Sequence, residues 1–91
     1  MVITIKLFYF ASIKDLIKKP IDTIKLSQER FENSNLFFSY LASNYKHIEI
    51  ELIELFKNCI LSIDDEYIDR NNVLVLKNGD ELSVIPPISA G

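Results

Sequence analysis

Two consecutive prolines, Pro86 and Pro87, limit how far a sheet can extend in this 91-residue chain. Each proline fixes φ at about −65° and removes a backbone N–H, so a strand cannot run through the pair. The residues that follow are expected to leave the folded body as a stiff, extended arm that ends in Gly91. A frayed terminus without a role is the alternative. The sequence therefore predicts a domain over residues 1–85 and an extended tail over residues 86–91.

Length and composition fit a single soluble domain with a modest core. Hydrophobic residues make up 48% of the chain and charged residues 25%, which is ordinary for a globular protein. No apolar run reaches the length of a membrane span, and no signal-peptide pattern is visible, so we expect no membrane contact. One cysteine excludes an internal disulfide and favours a cytoplasmic location.

The charge is unevenly placed along the chain. Residues 1–30 carry six Lys/Arg and three Asp/Glu, whereas residues 31–91 carry four and ten, and the net charge is −3. No basic stripe is present, so we expect no nucleic-acid partner. The acidic half suits a basic protein surface, or it is simply solvated.

The pattern along the chain predicts strands mixed with helices, in which the helices all cover one side of a sheet. This is an α+β domain. The predicted strands are Val2–Phe10, Ile21–Leu26, Cys59–Ile63, Glu66–Ile68 and Glu81–Ile85, with Val73–Leu76 either a strand or a buried loop. Ser12 and Asp15 predict a capping box for a helix over Ile13–Lys19, which Pro20 would end.

Two further helices are predicted in the middle of the chain. Ser34 or Asn35 can cap the first of them, whose apolar residues fall at helical spacing as far as Ile48. Ile48–Phe56 fits both periods and is interpreted as a short helix. Asp64-Asp65 and Asn78-Gly79 are predicted turns.

Alternation along the first and last strands predicts an exposed apolar patch. In the first strand Lys6 marks the wet face, and Phe8 and Phe10 share that face. In the last strand Ile85 faces outward. If these strands are neighbours, the three side chains form a patch at the base of the tail, which is typical of a protein interface. The alternative is that a loop covers them.

No self-contained active site is expected. Cys59 lies in an apolar run and is interpreted as a buried hydrophobe, while His47 has no metal-ligand or triad partners in the sequence. The acidic residues around Asp64 lack the spacing of a calcium loop. With only two glycines, the chain has no glycine-rich phosphate loop. We therefore expect no metal and no cofactor bound by this chain.

The stretch from Lys77 to Gly91, with Asn-Gly-Asp-Glu followed by Pro-Pro and a terminal glycine, resembles the end of the small, MoaD-like sulfur-carrier subunit of molybdopterin synthase. The opening run Ile5–Ala11 resembles the first strand and turn of that family. The likeness covers the whole chain. It implies a β-grasp, ubiquitin-like fold in which the first and last strands lie side by side and parallel.

The resemblance also implies a function. In this family an E1-like adenylating and sulfur-transferring enzyme uses ATP to activate the terminal carboxylate, here that of Gly91, and sulfur then displaces AMP to leave a thiocarboxylate. The tail enters a large catalytic subunit, in a heterotetramer of two small and two large subunits, and donates sulfur to cyclic pyranopterin monophosphate. The residues implied to contact partners are Phe8, Phe10, Tyr67, Ile85, Pro86, Pro87, Ile88, Ser89 and Ala90.

One position departs from the family, which ends in Gly-Gly where this chain has Ala90-Gly91. Alanine adds a methyl group and disfavours positive φ, which is expected to hinder passage through a channel shaped for two glycines. Three functions remain open at this point: the molybdopterin synthase carrier; a thiazole-pathway sulfur carrier or ubiquitin-like modifier; and a β-grasp interaction module without terminal chemistry.

Overall fold

The computed structural model describes residues 2–87 of the chain. Eleven short elements follow one another, and strands alternate with helices in the first half. In chain order they are β1 (Ile3–Tyr9), α1 (Ala11–Ile17), β2 (Ile21–Leu26), β3 (Arg30–Phe31), α2 (Ser34–Ser43), a 3₁₀ turn (Lys46–Ile48), α3 (Glu49–Phe56), β4 (Ile60–Ile63), β5 (Glu66–Ile68), β6 (Leu74–Val75) and β7 (Glu81–Ile85).

Five of the strands form one mixed sheet in the order β2-β1-β7-β4-β5. β1 is antiparallel to β2 and parallel to β7, while β4 is antiparallel to both β7 and β5. The predicted parallel pairing of the first and last strands is therefore confirmed. β3 and β6 form a separate two-stranded sheet.

The core lies between one face of the five-stranded sheet and the three helices. Period-two alternation of β1 sends Ile3, Ile5, Leu7 and Tyr9 into this core, and all four are buried. Leu82 and Val84 of β7 join them from the centre of the sheet, fully buried. The helices contribute their apolar sides, including Ile13, Ile17, Phe37, Leu41, Leu52 and Phe56. No helix within residues 2–87 lies on the opposite face of the sheet, which is called the outer face below.

The ends of α1 differ from the prediction. The capping box is wrong, because Phe10 is the N-cap, its side chain makes no cap hydrogen bond, and Ser12 lies inside the helix. The helix also ends before Pro20: Lys18 adopts the left-handed conformation at φ 68°, and its N–H donates to the Lys14 carbonyl at 2.7 Å. This C-cap satisfies a terminal carbonyl and stops the helix without help from the proline.

The cap of α2 was predicted at Ser34 or Asn35, one or two residues too late. Asn33 is the N-cap, and its side-chain oxygen accepts from the Leu36 N–H at 3.0 Å. Ser34 is buried as the first helical residue. The helix ends at Ser43, so the predicted continuation to Ile48 is wrong and that residue lies in the 3₁₀ turn. The short helix predicted before β4 is confirmed as α3.

Two turns connect or anchor strands of the five-stranded sheet. Asp64 and Asp65 both have positive φ, 51° and 66°, which is the backbone of a two-residue hairpin turn between β4 and β5. Gly79, at φ 90°, donates to the Thr4 carbonyl at 2.7 Å, and the Asn78 side chain accepts from the Thr4 N–H at 2.8 Å. The turn before β7 is thereby tied to β1.

Candidate functional site

The outer face is organised by the register of the strands. Phe8 on β1 lies opposite Ser83 on β7, so both point to the outer face, away from the buried alternate residues. On β4, Ser62 lies opposite Ser83. On β5, Tyr67 lies opposite Ser62. A row of side chains therefore crosses four strands from Phe8 to Tyr67.

An apolar patch lies at one end of this face. We define it as Phe8, Phe10, Ile21, Ile60 and Ile85. Phe10 is 46% exposed, Ile21 47% and Ile60 43%, while Phe8 and Ile85 are half-buried. Ile60 lies directly opposite Ile85, and Ile21 directly opposite Phe8. The structure thus brings together the three predicted patch residues on a face that no helix of the described part of the chain covers.

Ile21 and Ile60 were missed by the sequence interpretation. Ile60 alternates with Ser62 on the side of β4 opposite Leu61, and this alternation was the available signal. Its use required knowing that β4 lies beside β7, which the sequence pattern alone does not give. The patch is therefore wider than predicted.

Tyr67 lies at the far edge of the same face and is separate from the apolar patch. It is 74% exposed, and three strand spacings, about 14 Å in total, separate its row position from that of Phe8. Between them the small side chains of Ser83 and Ser62 form the floor of a shallow depression of about 320 Å³. The remaining lining residues are Phe8, Phe10, Asp64, Asp65 and Glu81, so an acidic rim adjoins the patch.

The strand directions place the start of the tail beside the patch. β1 and β7 run parallel with Tyr9 opposite Val84, so Phe10 and Ile85 leave the same end of the sheet. Pro86 is half-buried and Pro87 exposed directly after β7. The four other tail residues named from the sequence, Ile88, Ser89, Ala90 and Gly91, lie outside the described residues.

A buried hydrogen-bonded chain supports the patch from inside. Tyr45 donates to the Asp22 carboxylate at 2.6 Å, and its oxygen lies 2.8 Å from that of Tyr9. Since the single Tyr45 proton is directed at Asp22, Tyr9 is the donor in the second bond. Burial raises the pKa of both phenols, so both stay protonated. The chain fixes Tyr9 between the two aromatic residues of the patch.

Cys59 and His47, the other residues considered for chemistry, do not form a site in the described part of the chain. Cys59 is buried, its thiol donates to the Leu55 carbonyl at 3.2 Å, and burial raises its pKa to about 11. His47 is exposed. Within residues 2–87, no three His, Cys, Asp or Glu side chains are grouped so as to hold a metal ion. No helix in that range is long and apolar enough to cross a membrane.

The order and directions of the strands in the mixed sheet, with the helices on one face, define a ubiquitin-like β-grasp protein. Solved structures share this fold. Small archaeal modifier protein 1 of Haloferax volcanii matches with a TM-score of 0.69 at 14% identity, over 94% of this chain and 99% of that one. A chain from the complex of subunits 1 and 2 of molybdopterin-converting factor from Helicobacter pylori matches with a TM-score of 0.55 at 22% identity, over 98% of this chain and 100% of that one.

Sequence relatives narrow the class to one family. The molybdopterin synthase sulfur carrier subunit of Drosophila sechellia is 33% identical over 91 residues, covering 99% of this chain and 93% of the relative. The subunit of the same name from Dictyostelium discoideum is 29% identical over 86 residues, covering 94% of each. The chain belongs to the family of molybdopterin synthase sulfur carrier subunits. No protein-family model matches it.

Proposed function

We propose that this chain carries sulfur to a molybdopterin synthase on the carboxylate of Gly91. An activating enzyme joins that carboxylate to AMP from ATP, with release of pyrophosphate. A sulfur donor then displaces AMP, and the thiocarboxylate passes its sulfur to cyclic pyranopterin monophosphate. This chain supplies the acyl group and the docking surface, while ATP and the pterin bind to its partners.

The observation that carries this proposal is the position of the apolar patch at the base of the tail. A partner that covers Phe10, Ile60 and Ile85 has the Pro86-Pro87 segment at the edge of the contact. Two prolines restrict the chain before binding, so less conformational entropy is lost when the tail enters a channel. Binding of the partner to the patch would then also place the tail at the entrance of the partner's channel.

Two partners follow from the proposal. One is the large catalytic subunit of molybdopterin synthase, in a heterotetramer of two small and two large subunits, and the other is the E1-like activating enzyme. The similarity to a chain of the Helicobacter pylori subunit 1 and 2 complex supports the first. We propose that the exchange takes place in the cytoplasm, since a single buried cysteine suits a reducing compartment.

Intact-mass analysis tests the chemistry. The chain is incubated with the activating enzyme, ATP and a sulfur donor, and we expect a mass gain equal to the exchange of one oxygen for sulfur. A variant lacking Gly91 is the control and should gain nothing. If the full chain is never converted, the carrier function is wrong. Ala90→Gly should convert faster, and an unchanged rate would show that the alanine methyl does not interfere.

Binding to the large subunit tests the patch separately. Phe10→Ser and Ile60→Ser should each weaken binding at least roughly tenfold, because truncation of a central apolar anchor costs ~1.4 kcal/mol or more. Val75→Ser is the matched control, since Val75 is 60% exposed on the separate two-stranded sheet. Equal losses for all three variants would exclude the outer face as the docking surface.

A further inference from the structure

A second surface lies on the helical side of the molecule, away from the outer face. α1 and α3 border an open groove of about 720 Å³. Its apolar floor consists of Leu16 from α1 and Ile50 and Leu55 from α3. The proposed sulfur chemistry uses none of these residues.

The floor combines anchored and exposed apolar groups. Leu16 and Leu55 are half-buried and pack against the main core, which fixes their positions. Ile50 is 75% exposed, although it lies on a helix whose neighbouring residue Leu52 is fully buried. An exposed isoleucine beside two anchored leucines leaves apolar surface that a partner side chain can remove from water.

The rim of the groove is acidic. Asp15, Glu51 and Glu54 line it together with Ser12, and none of the lining residues is Lys or Arg. Glu54 pairs with Lys57 at 3.0 Å, but both side chains are more than 60% exposed, so this pair is weak. Within residues 2–87, Asp15 and Glu51 make no ion pair. The groove is therefore a negative surface around an apolar centre.

We propose that this groove binds a basic amphipathic helix of a partner protein. Apolar side chains at helical spacing would cover Ile50 and fill the space over Leu16 and Leu55, while flanking Lys or Arg would lie beside the three carboxylates. Charge complementarity selects this occupant. A second copy of the chain is disfavoured because it would bring the same carboxylates together. The helical side and the outer face are opposite, so both can be occupied at once.

A designed peptide tests the groove with this chain alone, so the result does not depend on the sulfur chemistry. The probe is a helical peptide of about 15 residues, long enough for marginal helicity, with Leu on one side and Lys on the other. Binding is measured by calorimetry, and backbone amide shifts locate the site. We expect shifts concentrated in α1 and α3. A peptide with Glu in place of Lys should not bind.

Variants at exposed positions distinguish peptide binding in the groove from nonspecific attraction of the peptide to an acidic protein. Ile50→Ser, and Glu51→Gln combined with Glu54→Gln, should each weaken peptide binding at least roughly fivefold, a loss of about 1 kcal/mol. The controls are Leu36→Ser, 51% exposed on α2, and Glu32→Gln combined with Glu66→Gln, which removes the same charge elsewhere. Equal losses in the controls, shifts centred on the Asp64-Asp65 turn, or binding of the Glu peptide would each overturn the proposal.

Discussion

Arg70 connects α2, the end of α3 and the loop before β4 through its guanidinium group, and its removal should destabilise the protein more than the loss of any surface charge. Nη2 donates to the carbonyls of Cys59, at 2.7 Å, and of Phe56 at the end of α3. Nη1 donates to the side chain of Asn35 on α2. The group also lies 5.0 Å from the centroid of the Phe38 ring. Arg70→Met keeps most of the stem and removes all of these contacts.

The size of the effect follows from the contacts. A hydrogen bond to a charged donor contributes roughly 1.5–3 kcal/mol when buried. Arg70 is only half-buried, so water replaces part of this. The cation–π contact adds ~0.5–1 kcal/mol. We expect Arg70→Met to lower the free energy of unfolding by about 2–4 kcal/mol, a large share of the ~5–15 kcal/mol of a typical domain. Arg70→Lys should lose about half of this, because one ammonium cannot reach all three acceptors.

Equilibrium unfolding in guanidinium chloride at neutral pH measures the loss. Arg30→Met is the matched control, because Arg30 is 61% exposed and its partner is the exposed Glu32 at 3.2 Å. That control should lie within about 0.5 kcal/mol of the unaltered chain. A loss from Arg70→Met as small as that of the control would show that the guanidinium contacts do not stabilise the fold.

Three further effects are expected. Lys18→Gly should raise the free energy of unfolding, measured by urea titration, by about 0.5–1 kcal/mol, because glycine adopts the observed φ of 68° without strain. The control Lys19→Gly should not raise it. Tyr45→Phe should cost about 1–3 kcal/mol and more than Tyr9→Phe, because Tyr45 is both donor and acceptor; equal losses in urea would contradict this. Burial raises the pKa of Cys59 to about 11, so at pH 8 its alkylation should be at least roughly 50-fold slower in the folded than in the unfolded chain. Similar alkylation rates in the two states would refute this. The free energy of unfolding should also fall as pH rises from about 9 towards 11, because the thiol ionises more readily in the unfolded chain.

The strands, and which of their side chains face outward, were predictable because alternation is a local signal. Alternation in β1 distinguishes Leu7 from Phe8 without knowledge of any other element. The cap residue of α2 was not predictable, because Asn33, Ser34 and Asn35 are all good cap residues. The choice depends on the direction of the entering chain, and the bond from the Ser34 N–H to the Arg70 carbonyl at 3.1 Å helps to fix it.

Other features could not be predicted, because they depend on the order of the strands or on hydrogen bonds to main-chain carbonyls. Ile60 joins the patch only because β4 lies beside β7, which no residue pattern specifies. Arg70 lies in an acidic, polar stretch and was not singled out, because its acceptors include main-chain carbonyls, which every residue possesses. The charge imbalance was visible in the sequence, but its concentration around an apolar groove requires α1 and α3 to be adjacent.

The central position of β7 has a consequence for synthesis of the protein. β7 lies between β1 and β4, so the five-stranded sheet lacks its central strand until residues 81–85 have left the ribosome. Until then β1 and β4 present unpaired edges, and much of the core has no partner. A nascent chain stalled before Glu81 should therefore be protease-sensitive and a client for chaperones. The sheet can therefore close only after β7 has been synthesised, and a partner can recognise the complete outer face only after that point.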